Sequence, residues 1–185
     1  MRIHLLAVVL LLAAGPAAAQ PLPCRSAKLQ AAGKAAQSLL NCEATGAKKG
    51  VAADPLCVSK ATDKLAASFS KAQAKGGCAP DDGINRLTRT ALDVASMTRL
   101  RLRPTMTASK CQAAKLVAAA KRAGSTLKAH AKNVKSFDVS KLRMTIDKAR
   151  AKYDLAIPKA EAKGDCLSTG DGVTVAGTVD AALDV

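Results

Sequence analysis

The sequence predicts an all-α protein made of two tandem disulfide-stapled helical hairpins, each followed by a shorter third helix. Three observations carry this prediction. Apolar residues recur every three or four positions over most of the chain, the signature of an amphipathic helix. Six cysteines stand at helical spacings on either side of a Gly/Pro turn. The whole pattern then starts again after about 88 residues, as an internal duplication would make it.

Residues 1–19 read as a signal peptide: Arg2, the apolar run LLAVVLLLAA and the small residues Ala17, Ala18 and Ala19 before Gln20. The run is too short for a membrane span, and no later stretch approaches that length. A lipidated cysteine is disfavoured, because Leu22 and Pro23 precede Cys24 where small residues are required. An exported chain with an even number of cysteines is expected to form a disulfide framework, which places it in the periplasm or outside the cell. Without Arg2 the mature chain keeps 28 basic against 14 acidic residues, a net charge of +14. Such an excess attracts polyanions and anionic surfaces and says nothing about fold.

The first unit spans residues 20–97. Its first helix is expected over Ser26 to Ala47, with Leu29, Ala32, Ala36, Leu39 and Leu40 on one stripe. GAKKGVAADP ends it: Gly46 and Gly50 suit a helix C-cap, and Asp54-Pro55 suits an N-cap followed by proline. The second helix runs from Pro55 to Lys75, with Val58, Ala61, Leu65, Phe69 and Ala72 in register. CAPDDG is a turn, and a third helix carries Ile84, Leu87, Ala91 and Val94 on one side. Residues 98–109 read as a linker, since TRLRLRP alternates basic and apolar residues and Pro104 disfavours a helical Arg103.

The second unit spans residues 110–185. CRSAKLQAAGKAA at Cys24 matches CQAAKLVAAAKRA at Cys111, and KAQAKGGC ending at Cys78 matches KAEAKGDC ending at Cys166. One helix carries Val117, Ala120, Gly124, Leu127, Ala131 and Val134. The next carries Val139, Leu142, Ile146, Ala149 and Tyr153 and continues to Ile157, where Pro158 should kink or break it. The last helix is rich in Val, Thr and Gly, poor helix formers, and should be the least protected. The final 21 residues hold Asp165, Asp171, Asp180 and Asp184 but no Lys or Arg.

Cysteine spacing gives the pairing. Cys24 and Cys42 are 18 residues apart, five turns at about 3.6 residues each, so they share one helix face. Cys57 and Cys78 return to within about 60° of a common face. An antiparallel hairpin then joins Cys42 to Cys57 at its closed end and Cys24 to Cys78 at its open end. In the second unit Cys42 falls on Ala129 and Cys57 on or next to Thr145, so the two inner partners are lost together, as bonded partners would be. Cys111–Cys166 is the remaining pair.

The Ala/Lys repeat with its KAxAKGxC ending resembles a repeat of uncharacterised secreted bacterial proteins. The resemblance covers most of the mature chain and implies no activity, so it assigns no functional residue.

Little in the sequence is arranged for catalysis. His130 is the only histidine after the leader, is expected on the surface, and has no marked nucleophile or orienting partner. The cysteines lack close CxxC spacing, so no metal or cofactor is implied. Asp81, Asp82 and Asp171 sit in turns, and GDG at Gly170 lacks the ligand series of a calcium loop. The suggestive feature is lysine. Lys60, Lys64, Lys71 and Lys75 fall within about 60° of arc on one helix, and Lys121, Lys128, Lys132 and Lys135 do so on another. Each set is either a solvated face or a polyanion-binding stripe. Arg99, Arg101 and Arg103 form either a helix tail with linker or an anion clamp between the units. Sequence-specific nucleic-acid binding is disfavoured, with no recognised motif and Phe69, Phe137 and Tyr153 the only aromatics. Membrane insertion is disfavoured by apolar faces made mostly of alanine. The expected function is therefore a non-catalytic binding or structural role with a basic surface, for anionic polymers or envelope surfaces. The alternatives are a hydrolase using two carboxylates about 5–10 Å apart in a cleft, or a protein-interaction module using the third helices.

Non-reducing digestion of the exported protein should release peptides joined as Cys24–Cys78, Cys42–Cys57 and Cys111–Cys166. A Cys24–Cys42 peptide would contradict the hairpin, because those residues lie about 27 Å apart on a straight helix.

Overall fold

The computed structural model describes residues 22–76, 78, 84–103 and 105–183. The expected leader 1–19, the turn with Asp81 and Asp82, Pro104, Asp184 and the side chain of Ile84 lie outside the described residues. These contain six helices and no strand: α1 (Leu22–Lys49), α2 (Pro55–Ala74), α3 (Ile84–Leu102), α4 (Lys110–Ser136), α5 (Val139–Glu161) and α6 (Gly172–Ala182).

Local chemistry sets the ends. Asp54 accepts from the Leu56 N–H at 2.9 Å, and Pro55 opens α2 without leaving a donor unpaired. Ser109 caps α4 through the Gln112 N–H, and Asp138 caps α5 through the Lys141 N–H. Gly50 closes α1 at φ +71°, whereas Gly46, the other expected cap, stays within the helix. Phe137 closes α4 in the left-handed region at φ +52°.

Three disulfides tie the helices, and they are the pairs that the spacing and the paired loss favour: Cys24–Cys78, Cys42–Cys57 and Cys111–Cys166, with Cα separations of 5.7, 5.9 and 5.0 Å. α2 lies against α1 and α5 against α4, each as an antiparallel hairpin partner. The most extensive contact, however, is between α1 and α4. α3 packs on α1 and reaches α6. Leu29, Leu40, Leu65, Leu116, Tyr153 and Val179, drawn from five of the six helices, belong to one core cluster, which Leu87 and Val94 of α3 join. The two hairpins thus share a single interior.

The α1–α4 contact is close because small residues face each other. A Cβ on Gly33 would stand 2.9 Å from the Leu127 Cβ and 3.3 Å from the Gly124 carbonyl oxygen. Alanines 32, 36, 119, 120 and 123 surround this crossing and are fully buried.

Three expectations change. α3 continues through Leu102, with Thr98 and Leu102 fully buried, so residues 98–102 of the expected linker are its last turn. Pro158 does not break α5, which runs on to Glu161: Ile157 and Ala160 are buried on either side, and the Ala162 N–H bonds the Pro158 carbonyl at 2.9 Å. Val139, expected on the apolar stripe, is exposed, as is Met144. α6 forms despite its composition, because Val175 and Val179 are buried and tertiary packing overrides weak propensity.

Replacing Gly33 by valine should lower the urea midpoint of unfolding by an amount equivalent to about 1–3 kcal/mol, the usual cost of overpacking, despite valine's better helix propensity. An unchanged or raised midpoint would show that the α1–α4 crossing can open without loss.

Candidate anion-binding groove

The acidic C-terminal segment is used inside the fold. Lys115 is fully buried, and its ammonium donates to the Ser168 carbonyl at 2.7 Å, lies 2.6 Å from Asp171 Oδ1 and 2.8 Å from Glu161 Oε1. All three N–H bonds are thereby used. Asp165 receives the free Lys110 and Cys111 N–H groups at the start of α4, where the helix dipole favours a negative charge. Arg122, itself buried, makes a two-point contact with Asp180 of α6 at 2.6 and 3.2 Å and lies 5.2 Å from the centre of the Tyr153 ring. The Tyr153 hydroxyl donates to the Gly172 carbonyl at 3.0 Å. Burial pushes the Tyr153 phenol upward, with Arg122 opposing it. α6 is thus held by buried valines, a charge pair and a phenol.

Glu161 and Asp171 meet at the buried Lys115 ammonium, which contacts one oxygen of each. Asp171 additionally accepts from the Ser168 hydroxyl, so the GDG turn is committed to the protein. Among the described residues no group of His, Cys, Asp and Glu side chains could hold a metal ion. His130 is half-buried on α4 rather than fully exposed, and burial lowers its pKa.

The proposed arginine clamp is not assembled. Arg103 is buried and donates to the Val51 carbonyl at 2.7 Å, with Glu43 3.6 Å from its other terminal nitrogen. Arg99 lies 3.9 Å from the same Glu43, and only Arg101 is exposed. Burial raises the Glu43 pKa, with Arg99 and Arg103 opposing the rise.

The lysines of both stripes, by contrast, are all exposed. Lys64 and Lys71 border a depression of about 450 Å³ between α1 and α2, opposite Lys34. Lys71, Lys75 and Lys34 border a second of about 180 Å³ on the same hairpin. Lys60 borders neither. Lys121 lies on a larger concavity, a groove of about 940 Å³ where the end of α1 meets the first half of α4 and the end of α5. Lys128, Lys132 and Lys135 continue along α4 beyond it.

Ala44, Ala113, Val117, Ala118, Ala156 and Ala160 make a mostly apolar floor, with Asn41 and Thr45 its uncharged polar residues. Lys48, Lys49, Lys121, Lys159 and Lys163 ring it, and no carboxylate lines it. None of these five lysines is in an ion pair among the described residues. Sequence reasoning missed Lys48, Lys49, Lys159 and Lys163 because they come from two helix ends joined only by the α1–α4 packing. Comparison with known proteins returned no matching family model, no matching curated protein and no matching solved structure.

The internal acids give a pH dependence. Hydrogen bonds from the Lys110 and Cys111 N–H groups lower the Asp165 pKa, and the bond from Lys115 lowers that of Glu161. Their stabilisation is fully present above the ordinary carboxylate values, about 4, and is lost as pH falls through the lower folded values. Asp165→Asn should therefore reduce the urea midpoint at pH 7 and converge on the parent protein near the acid end of the titration. A constant offset at every pH would show that Asp165 acts by shape and not by charge.

Proposed function

We propose that this is an exported, non-catalytic binding protein that engages anionic polymers or envelope surfaces through uncompensated lysines. The observation that carries the reading is the division of charge. Glu43, Glu161, Asp165, Asp171 and Asp180 are spent on buried cations or helix ends, and no carboxylate lines the lysine-bordered depressions. Three disulfides are consistent with an oxidising compartment, and no described helix is long and apolar enough to cross a membrane. Leu92, Met97 and Leu100 are exposed on α3, but they fan over about 140° of arc and make no single stripe for a protein partner.

We read the architecture as two copies of one stapled hairpin packed on a shared core. The depths of matching residues support this: Lys28 and Lys115, each four residues after the first cysteine of its unit, are both fully buried.

Lysine suits a polymeric ligand because it is a hydrated point charge on a flexible stem, able to follow charge without demanding one geometry. Titration of heparin or duplex DNA against the disulfide-bonded protein should show affinity falling steeply with salt, with a log–log slope for DNA of about −0.9 per neutralised phosphate. Lys128→Gln, Lys132→Gln and Lys135→Gln together should weaken binding and flatten that slope while leaving the fold intact. No binding at ~50 mM salt, or binding indifferent to the three substitutions, would make that stripe a solvated face only.

A further inference from the structure

We propose that the groove between α1, α4 and α5 is a binding site for a single-chain amphiphile with an anionic head, of the long-chain fatty carboxylate type. Its volume of about 940 Å³ lies within the range of about 300–1,000 Å³ usual for small-molecule sites. Its chemistry is divided as such a ligand is divided. Alanine methyls and Val117 make a floor without aromatic rings, which fits a thin flexible chain rather than a flat ring or a sugar needing stacking surfaces. Val117, Ala114 and Ala156 are half-buried, so the floor is open to a ligand. Five exposed ammonium groups stand around it, their stems able to lie along an acyl chain while their heads meet the carboxylate. With no acid in the lining, an anion entering the groove meets attraction from every side, and a cation meets repulsion.

The first hairpin supplies an independent comparison inside the same chain. Under the sequence match that sets Cys24 on Cys111 and Cys78 on Cys166, Lys34, Lys71 and Lys75 stand where Lys121, Lys159 and Lys163 stand. These three border the depression of about 180 Å³ on α1 and α2. Its floor differs at two places: Gln30 replaces Val117 and Ser68 replaces Ala156. The three lysines occur in both hairpins, but only the second combines them with an apolar floor and with the end of α1. The structure thus assigns the amphiphile to the second groove. This site does not depend on the polymer-binding reading, because Lys128, Lys132 and Lys135 lie outside it.

The test is calorimetric titration of the exported, disulfide-bonded protein with dodecanoate below its micelle concentration. Dodecyltrimethylammonium and butanoate serve as controls for head and chain. Dodecanoate should bind at one saturable site, the cationic amphiphile should not bind there, and butanoate should bind at least about tenfold more weakly. Val117→Gln with Ala156→Ser gives the second groove the floor of the first, at half-buried positions where the fold already tolerates those residues in the other hairpin. It should weaken dodecanoate binding at least about tenfold with helical content unchanged. Lys159→Gln with Lys163→Gln should weaken dodecanoate binding and reduce its salt dependence. Lys128→Gln, Lys132→Gln and Lys135→Gln together should leave it unchanged, whatever they do to heparin binding. Absence of dodecanoate binding, equal binding of the cationic amphiphile, or binding indifferent to the floor substitutions would overturn the proposal.

Discussion

Alanine is the constraint on which this structure depends. A methyl side chain contributes little buried area, and hydrophobic stabilisation scales with area at about 25 cal/mol per Å². A chain with 2% aromatic residues cannot build a thick core. The available solution is close approach, in which two helices touch nearly backbone to backbone. α1 and α4 do this at Gly33 and Gly124, and the rest of the molecule is arranged around that contact. Close helices of alanine still need other ties. Three disulfides supply them, each worth about 2–4 kcal/mol by restricting the unfolded chain.

The same constraint explains the distribution of charge. Where apolar area is scarce, long cationic side chains fill volume that leucine or phenylalanine would fill elsewhere. Lys28, Lys115 and Arg122 are buried in this way. A buried cation is tolerable only when paired and fully hydrogen-bonded, so the acids are drawn inward. Lys115 takes Glu161 and Asp171, and Arg122 takes Asp180. The consequence appears at the surface: the depressions bordered by exposed lysines have no carboxylate in their linings.

Much of this was legible before the structure. Cysteine spacing and the paired loss at Ala129 and Thr145 point to the three bridges, because a helix converts sequence distance into direction. The stripes of Leu29, Leu40, Leu65 and Leu127 pointed correctly to the core. The contact between α1 and α4 was not legible, since periodicity gives the face of a helix and not its partner. The groove depends on that contact and was hidden with it. The burial of Lys115 did leave a signal. It lies four residues after Cys111, about 40° away on the same inward face, and an acidic segment free of Lys and Arg follows Cys166. Arg103 lies just outside α3, as Pro104 suggests, but nothing in the linker reading indicates that its side chain turns in toward Glu43 and Val51.

The two hairpins differ in their bridges, and the groove lies on the one with a single bridge. The α1–α2 hairpin has a bridge at each end, and neither bridge responds to pH or salt. The α4–α5 hairpin has one bridge, and the segment after Cys166 adds charged contacts to α4: Asp171 on Lys115 and Asp180 on Arg122. Charged contacts of this kind weaken when carboxylates take up protons, and partly exposed ones weaken with salt. α5 contributes both to these contacts, through Glu161, and to the groove, through Lys159, Ala156 and Ala160. Anything that loosens the hold of Glu161 on Lys115 therefore acts one helical turn from the groove wall. The doubly bridged hairpin carries the two smaller depressions, and the singly bridged one carries the groove, so that site is built beside contacts that respond to the ionic surroundings.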